Sequence, residues 1–290
     1  MLEIPEHVRL NGPWSISKAQ MAEKCSQQFD FRHHQKLKEI SVYQASRVGT
    51  AVHRALELAL QNAALKQAFS IAADEGELTE NERVELYTFW DSVARYIKFI
   101  AELKRKVGCR DELFERRWGV RVDGSKCGFF DKDVFFRGVV DHGILTNAND
   151  LIIFDHKSGK EKELSYYDPQ FRGYGLMAVA QIPNLRGVQT AIHFVVPGTE
   201  RWNKPTASKT IREGLTPKRD GDKVVWEHTE DPYLDWLIKF LTKSCIKLLG
   251  PPAVITNKRE KWKCDWCGFR TVCKGPFAAE AGRAESEGNN

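Results

Sequence analysis

Apolar positions along the chain repeat first with a helical period and then with a strand period. SISKAQMAEKCSQQFDFRH (15–33) reads as a short helix opened by Ser15 or Ser17. Val52, Ala55, Leu56, Ala59 and Leu60 form one stripe of a helix expected from Arg47 to about Phe69. Thr79 and Glu82 make a T-x-x-E capping box, opening a helix with Val84, Phe89, Val93, Tyr96 and Ile100 on one face. Alternation then takes over in ELFERRWGVRV (112–122), VFFRGVVDHGIL (134–145) and LIIFDHK (151–157). DGSKCG and NAND are the turns between them, and three strands with short links predict an antiparallel meander. Asp168 and Pro169 read as the cap and first residue of a helix to about Ala180, and VQTAIHFVV (188–196) as a fourth strand. Residues 197–230 are polar, with little core potential, and read as an insertion or a mobile flap. Asp231-Pro232 opens a last helix with Leu234, Leu237, Ile238 and Leu241 on its buried side, and Pro251-Pro252 ends it.

The order predicts an α/β core with helical additions. It is expected to be one domain over 1–276, made of a helical region (45–110), a strand-rich core (111–196), the polar insertion (197–230) and a helix with a cysteine cluster (231–276). The small, polar tail 277–290 is expected to be disordered.

Composition adds boundaries. The 290 residues are 42% hydrophobic and 29% charged, which suits a soluble globular protein. The apolar runs are all too short for a bilayer, and the N-terminus lacks a basic stretch followed by an apolar core, so a cytoplasmic protein is expected. A net charge of +5 is compatible with a polyanionic partner without requiring one. No G-x-x-x-x-G-K-[ST] loop occurs, so any helicase motor would be a separate partner. Seven cysteines, an odd count in such a chain, argue against a disulfide framework.

The candidate chemistry starts at LIIFDHKSGK (151–160). Residues two apart on a strand share a face, so Asp155 and Lys157 point one way and His156 the other. A hairpin loop of three or five residues would set Asp141 opposite Asp155, while a slip of one residue would split the pair. Facing carboxylates repel, and a divalent cation with oxygen ligands, Mg²⁺ or Mn²⁺, would offset the repulsion. Lys157 beside it would orient a water or stabilise charge developing on a phosphate. An isolated D-x-K on a strand is more often a plain edge ion pair, so its surroundings decide. Gln170 and Tyr174 are four apart and share a helix face, and His53 lies upstream on a helix.

The stretches GTAVHRALE (49–57), RGVVDHG (137–143), IFDHKSG (153–159) and QFRGY (170–174) resemble, in order and spacing, the RecB-like branch of the PD-(D/E)xK nuclease superfamily. The resemblance implies a restriction-endonuclease-like fold: a mixed sheet with an antiparallel meander, flanked by helices. It implies His53, Asp141, Asp155 and the backbone carbonyl of His156 as metal ligands and Lys157 as the catalytic lysine. Gln170 and Tyr174 would hold DNA or that lysine. Glu115 falls where the family often carries a strand acid, with no definite role. Asp155 stands where Glu is commoner.

Cys264-x₂-Cys267-x₅-Cys273 supplies three thiols, and Cys25 is the candidate fourth. That layout resembles the iron–sulfur subset of RecB-like nucleases, the AddB-type helicase-nucleases and CRISPR-associated exonucleases. The resemblance implies a [4Fe–4S] cluster clipping the N- and C-terminal segments together, shielded by Trp262, Trp266 and Phe269. Zinc on the same thiols is the alternative. Cations beside aromatics, at Arg116, Arg117 and Trp118, at Arg201, Trp202 and Lys204, and at Lys258–Lys263, suit single-stranded DNA. The expectation is a metal-dependent exonuclease of recombination and repair, with a helicase or a recombination or CRISPR-type protein as partner. A non-catalytic nucleic-acid-binding protein and a zinc-stabilised interaction module remain as alternatives.

Overall fold

The computed structural model describes residues 3–39, 44–196, 198–265 and 267–277. Two compact units divide the chain, one from Met1–Tyr43 with Ile238–Asn290 and one from Gln44–Leu237. Among the described residues, no helix is long and apolar enough to cross a membrane.

The first unit opens with α1 (Glu6–Leu10), α2 (Ile16–Lys24) and α3 (Ser26–Phe29), which runs into a π-helical turn, Asp30–His34. Ser15 caps α2, its hydroxyl accepting from the Lys18 amide at 3.2 Å. The single helix expected over 15–33 is broken at Cys25, whose backbone is extended (φ −158°, ψ 113°). Trp14 and Phe29 stack in the core of this unit, and Phe31 packs on Phe269.

The second unit begins with four helices, α4 (Gln44–Leu60), α5 (Leu65–Glu75), α6 (Glu80–Tyr87) and α7 (Trp90–Val107). The sequence pattern runs α4 into α5, but Asn62 takes a left-handed φ of 73° and ends α4. Asn tolerates this conformation, which no continuing helix allows. The helix after Thr79 is also two helices, because tight turns at Thr88 and Phe89 re-aim the chain. Val84 is therefore exposed, while Val93, Tyr96 and Ile100 face the core. The capping box forms, with the Thr79 amide donating to Glu82 at 2.8 Å.

A mixed sheet follows, in the order β2-β1-β3-β4-β5-β6. Its strands are β1 (Cys109–Val120), β2 (Lys126–Cys127), β3 (Phe136–Thr146), β4 (Asp150–Lys157), β5 (Gly187–Phe194), β6 (Thr199–Trp202) and β7 (Thr206–Ala207), the last pairing with β5. β1, β3 and β4 form the antiparallel meander; β5 runs parallel to β4 after the crossover helix α8 (Asp168–Gln181). α8 starts one residue earlier than its Asp-Pro signal suggests: Tyr167 is the N-cap, because a 3₁₀ turn (Leu164–Tyr167) feeds directly into the helix. Within the segment 197–230, expected as a polar insertion or a mobile flap, residues 199–228 hold β6, β7, α9 (Ser208–Glu213) and the hairpin β8 (Leu215–Asp220) with β9 (Lys223–His228). α10 (Tyr233–Ser244) begins in this unit and ends in the other, where α11 (Trp262–Asp265) follows.

Both faces of the sheet are covered. Val52, Leu56, Val93, Tyr96 and Ile100 pack with Ile144, Ile152 and Phe154 on one side. Tyr167 and Phe171 pack on Ile192 and Phe194 on the other. This explains why β4 reads as a nearly continuous apolar run.

Candidate metal centre

The β3–β4 pairs are His142↔Phe154, Gly143↔Ile153, Ile144↔Ile152 and Leu145↔Leu151, joined by the three-residue loop 147–149. This register sets Asp141 opposite Asp155, one step beyond the last pair. There the backbone ladder stops, and the His156 amide donates instead to Asp141 Oδ2 at 2.9 Å. The carboxylate thus takes the place of a strand carbonyl.

Asp155 is held firmly. Its Oδ1 accepts from Gln170 Nε2 and from the Tyr174 hydroxyl, each at 2.6 Å, and Gln170 also donates to Tyr174 at 2.9 Å. The helix pair, expected on DNA or on the lysine, therefore grips the acid. Oδ2 of Asp155 is buried without an aligned hydrogen bond, and the Lys157 ammonium contacts it as an ion pair. A buried carboxylate oxygen that already faces one cation is an oxygen donor of the kind a divalent metal takes.

α4 brings His53 to the same place, with Nδ1 3.7 Å from Asp141 Oδ2. Gly49 on α4 permits the approach, since a β-carbon there would lie 2.7 Å from Ser158 Oγ. Burial lowers the His53 pKa, favouring the neutral imidazole that metals bind. Burial, and then the charge of Asp155, raises that of Asp141 well above the usual carboxylate range.

Glu115 completes the group. Ligand atoms of His53, Glu115 and Asp141 all lie within 4.8 Å of one another. Glu115 sits mid-strand opposite Asp141, between the pairs Phe114↔His142 and Arg116↔Val140, with a left-handed φ of 45°. The register runs through it unshifted, with Leu113↔Gly143 before it and Arg117↔Val139 after it, so Glu115 shares the face of Asp141. These residues line one open groove of ≈ 720 Å³ with Arg54, Arg117 and Ser158.

The opposite face of β4 carries a feature that the sequence pattern missed. His142, His156 and His193 are buried around Tyr96, which stacks on His193 at 3.9 Å and meets His142 Nδ1 at 3.2 Å. Burial pushes the His193 pKa down to about 3, so these imidazoles pack as neutral rings.

In the first unit, Cys25, Cys264, Cys267 and Cys273 line one small cavity. Cys25 Sγ donates to Ala253 O at 3.8 Å, and the Gly275 amide donates to Cys273 Sγ at 3.4 Å. Burial, and then the neighbouring thiols, pushes the Cys264 pKa up to about 11. Of the expected aromatic shield, Phe269 is buried, Trp262 is 59% exposed and so shields nothing, and Trp266 lies outside the described residues.

The central hairpin of the mixed sheet thus ends in Asp-x-Lys, facing a second Asp and a helical His. The model of the PD-(D/E)XK nuclease superfamily matches residues 13–274, and the chain belongs to that family. A solved structure described as "Crystal structure of SSO0001" is similar at 14% identity over 89% of this chain and 96% of that one, with a TM-score of 0.31. No curated protein matches the chain closely enough to be called a relative.

Proposed function

We propose that the protein is a divalent-metal-dependent DNA exonuclease acting on single-stranded ends. The observation that carries the reading is the Asp155 carboxylate, fixed through one oxygen by Gln170 and Tyr174 and touching the Lys157 ammonium with the other, opposite Asp141. His53, Asp141, Asp155 and the His156 carbonyl would hold Mg²⁺ or Mn²⁺, with Glu115 as a further ligand. When bound, the metal supplies Lewis-acid polarisation of the phosphodiester and lowers the pKa of water. Lys157 supplies a positive charge where charge builds on the phosphate, and the grip on Asp155 keeps that charge in place. The preference for single-stranded ends comes with the RecB-like resemblance, as does a separate helicase or recombination partner.

The reading extends to a [4Fe–4S] cluster on Cys25, Cys264, Cys267 and Cys273. Four thiols around one cavity are a donor set that such a centre would take as thiolates. Tetrahedral zinc, with bonds of about 2.3 Å, would bring the sulfurs to about 3.8 Å of one another.

End-labelled single- and double-stranded DNA incubated with Mn²⁺ or Mg²⁺ tests the activity. Progressive shortening of the single strand is expected, abolished in Asp155→Ala and Lys157→Ala. Undiminished cleavage by Asp155→Ala protein would refute the site. Binding without cleavage under either metal would favour the non-catalytic alternative, against which the intact acid–lysine set argues.

A further inference from the structure

Arg117 leaves the groove on its open side, and what it meets there has no part in metal binding. β1 and β3 floor the groove, and along them run Glu115 and Arg117 on one strand and Asp141, Val139 and Arg137 on the other. Residues 128–135 return over this end. Their tip is pinned: the Gly128 amide donates to Asp131 Oδ2 at 2.8 Å, and Val134 and Phe135 are buried. It presents Phe129 and Phe130, edge to face at 4.9 Å. The Arg137 guanidinium lies 4.6 Å from the Phe129 ring centroid and donates to the Phe129 carbonyl at 3.1 Å. The Arg117 guanidinium lies 5.9 Å from the Phe130 ring. Phe130 is 74% exposed, and the Arg117 charge also acts on Glu115, its neighbour in the groove.

An exposed aromatic ring beside two guanidinium cations, on a fixed turn continuous with a groove of acids, has a definite chemistry. We infer that Phe130 stacks a base of the substrate strand while Arg117 and Arg137 hold its phosphates, just outside the metal-ligand group. The occupant is single-stranded nucleic acid: the ring needs an unpaired base face, and the cations need a polyanion. Trp118, the aromatic next to Arg117 in sequence, is buried and cannot serve. The inference rests on reading the groove as the nuclease site and supplies the physical source of its single-strand preference.

The test is fluorescence anisotropy of a labelled oligothymidylate with the full chain, in buffer without divalent metal, so that binding is read apart from cleavage. Phe130→Ala is expected to weaken binding about tenfold with an unchanged salt slope, and Phe130→Trp to restore it. Arg117→Ala is expected to weaken binding and lower the salt slope by about 0.7. Lys66→Ala, on the exposed face of α5, is expected to bind as the wild type. Phe130→Ala binding within twofold of wild type overturns the inference, as does a Phe130→Ala protein that only loses self-association. If the wild type cleaves DNA while both groove variants bind and cut normally, the platform fails and the nuclease stands. If no metal supports cleavage but the binding pattern holds, the platform stands and the nuclease reading fails.

Discussion

Glu115 is held in a left-handed conformation in the middle of a strand, which costs a residue with a β-carbon about 1–2 kcal/mol. That cost is offset where the side chain gains a function, and here it reaches His53 and Asp141. Glu115→Gly should therefore separate stability from binding: the melting temperature without metal should rise or hold, while Mn²⁺ affinity by calorimetry falls about tenfold. A parallel loss of both would make Glu115 a structural residue. Asp141 gives the pH dependence. Its folded-state pKa is raised, so the folded protein holds that proton more tightly than the unfolded chain does. Without metal, this contribution to stability is present in the ordinary carboxylate range and is lost as pH rises through the raised pKa. A dication displaces the proton, so the melting-temperature gain from Mn²⁺ should widen with rising pH over the same window. His53, Asp155 and Lys157 are legible in the sequence because a strand period and a motif order fix them. Glu115 is reached only through the resemblance, as a strand acid without a definite role, because its left-handed φ leaves no mark in the sequence.

At the scale of elements, the site depends on one short loop. Asn149, with φ 62°, closes the β3–β4 hairpin, and the Asp150 amide donates to Thr146 Oγ1 at 3.1 Å. This loop sets Asp141 against Asp155, since a one-residue slip would turn one of them to the other face. Asn149→Gly should keep both stability and metal binding. Asn149→Val, a β-branched residue forced to positive φ, should destabilise by about 1–2 kcal/mol in chemical denaturation, with Mn²⁺ binding weakened through the register. The strands and their register were readable because alternation and loop length constrain each other. The helix ends at Asn62 and Thr88 were not, since an amphipathic stripe continues in sequence through a turn that redirects it in space. The elements within the polar segment 197–230 were not readable for a related reason. Its hairpin β8–β9 lies largely exposed, so no apolar face announces it, and its backbone pairing alone gives it form.

At the scale of the whole molecule, the two units rest on different sources of stability. The unit of Gln44–Leu237 has a sheet covered on both faces and a core running from Val48 to Val195. The other unit joins the two ends of the sequence, through short helices and a small set of rings around Trp14, Phe29, Phe31 and Phe269. A centre on Cys25, Cys264, Cys267 and Cys273 would close a loop from Cys25 to Cys264, and long loops are where a cross-link removes most entropy from the unfolded state. Its loss should therefore be felt unevenly. Anaerobically purified protein is expected to be brown, absorbing at roughly 400 nm, with about four irons and four sulfides per chain. Air oxidation or Cys25→Ser should bleach it and expose the N- and C-terminal segments to limited proteolysis, while a fragment close to residues 44–237 resists. Colourless protein with stoichiometric zinc that protects the same segments would replace the cluster with zinc. Segments that stay protected in the metal-free Cys25→Ser protein would show that the apolar rings alone hold this unit, and the thiols would then have no role in joining the ends.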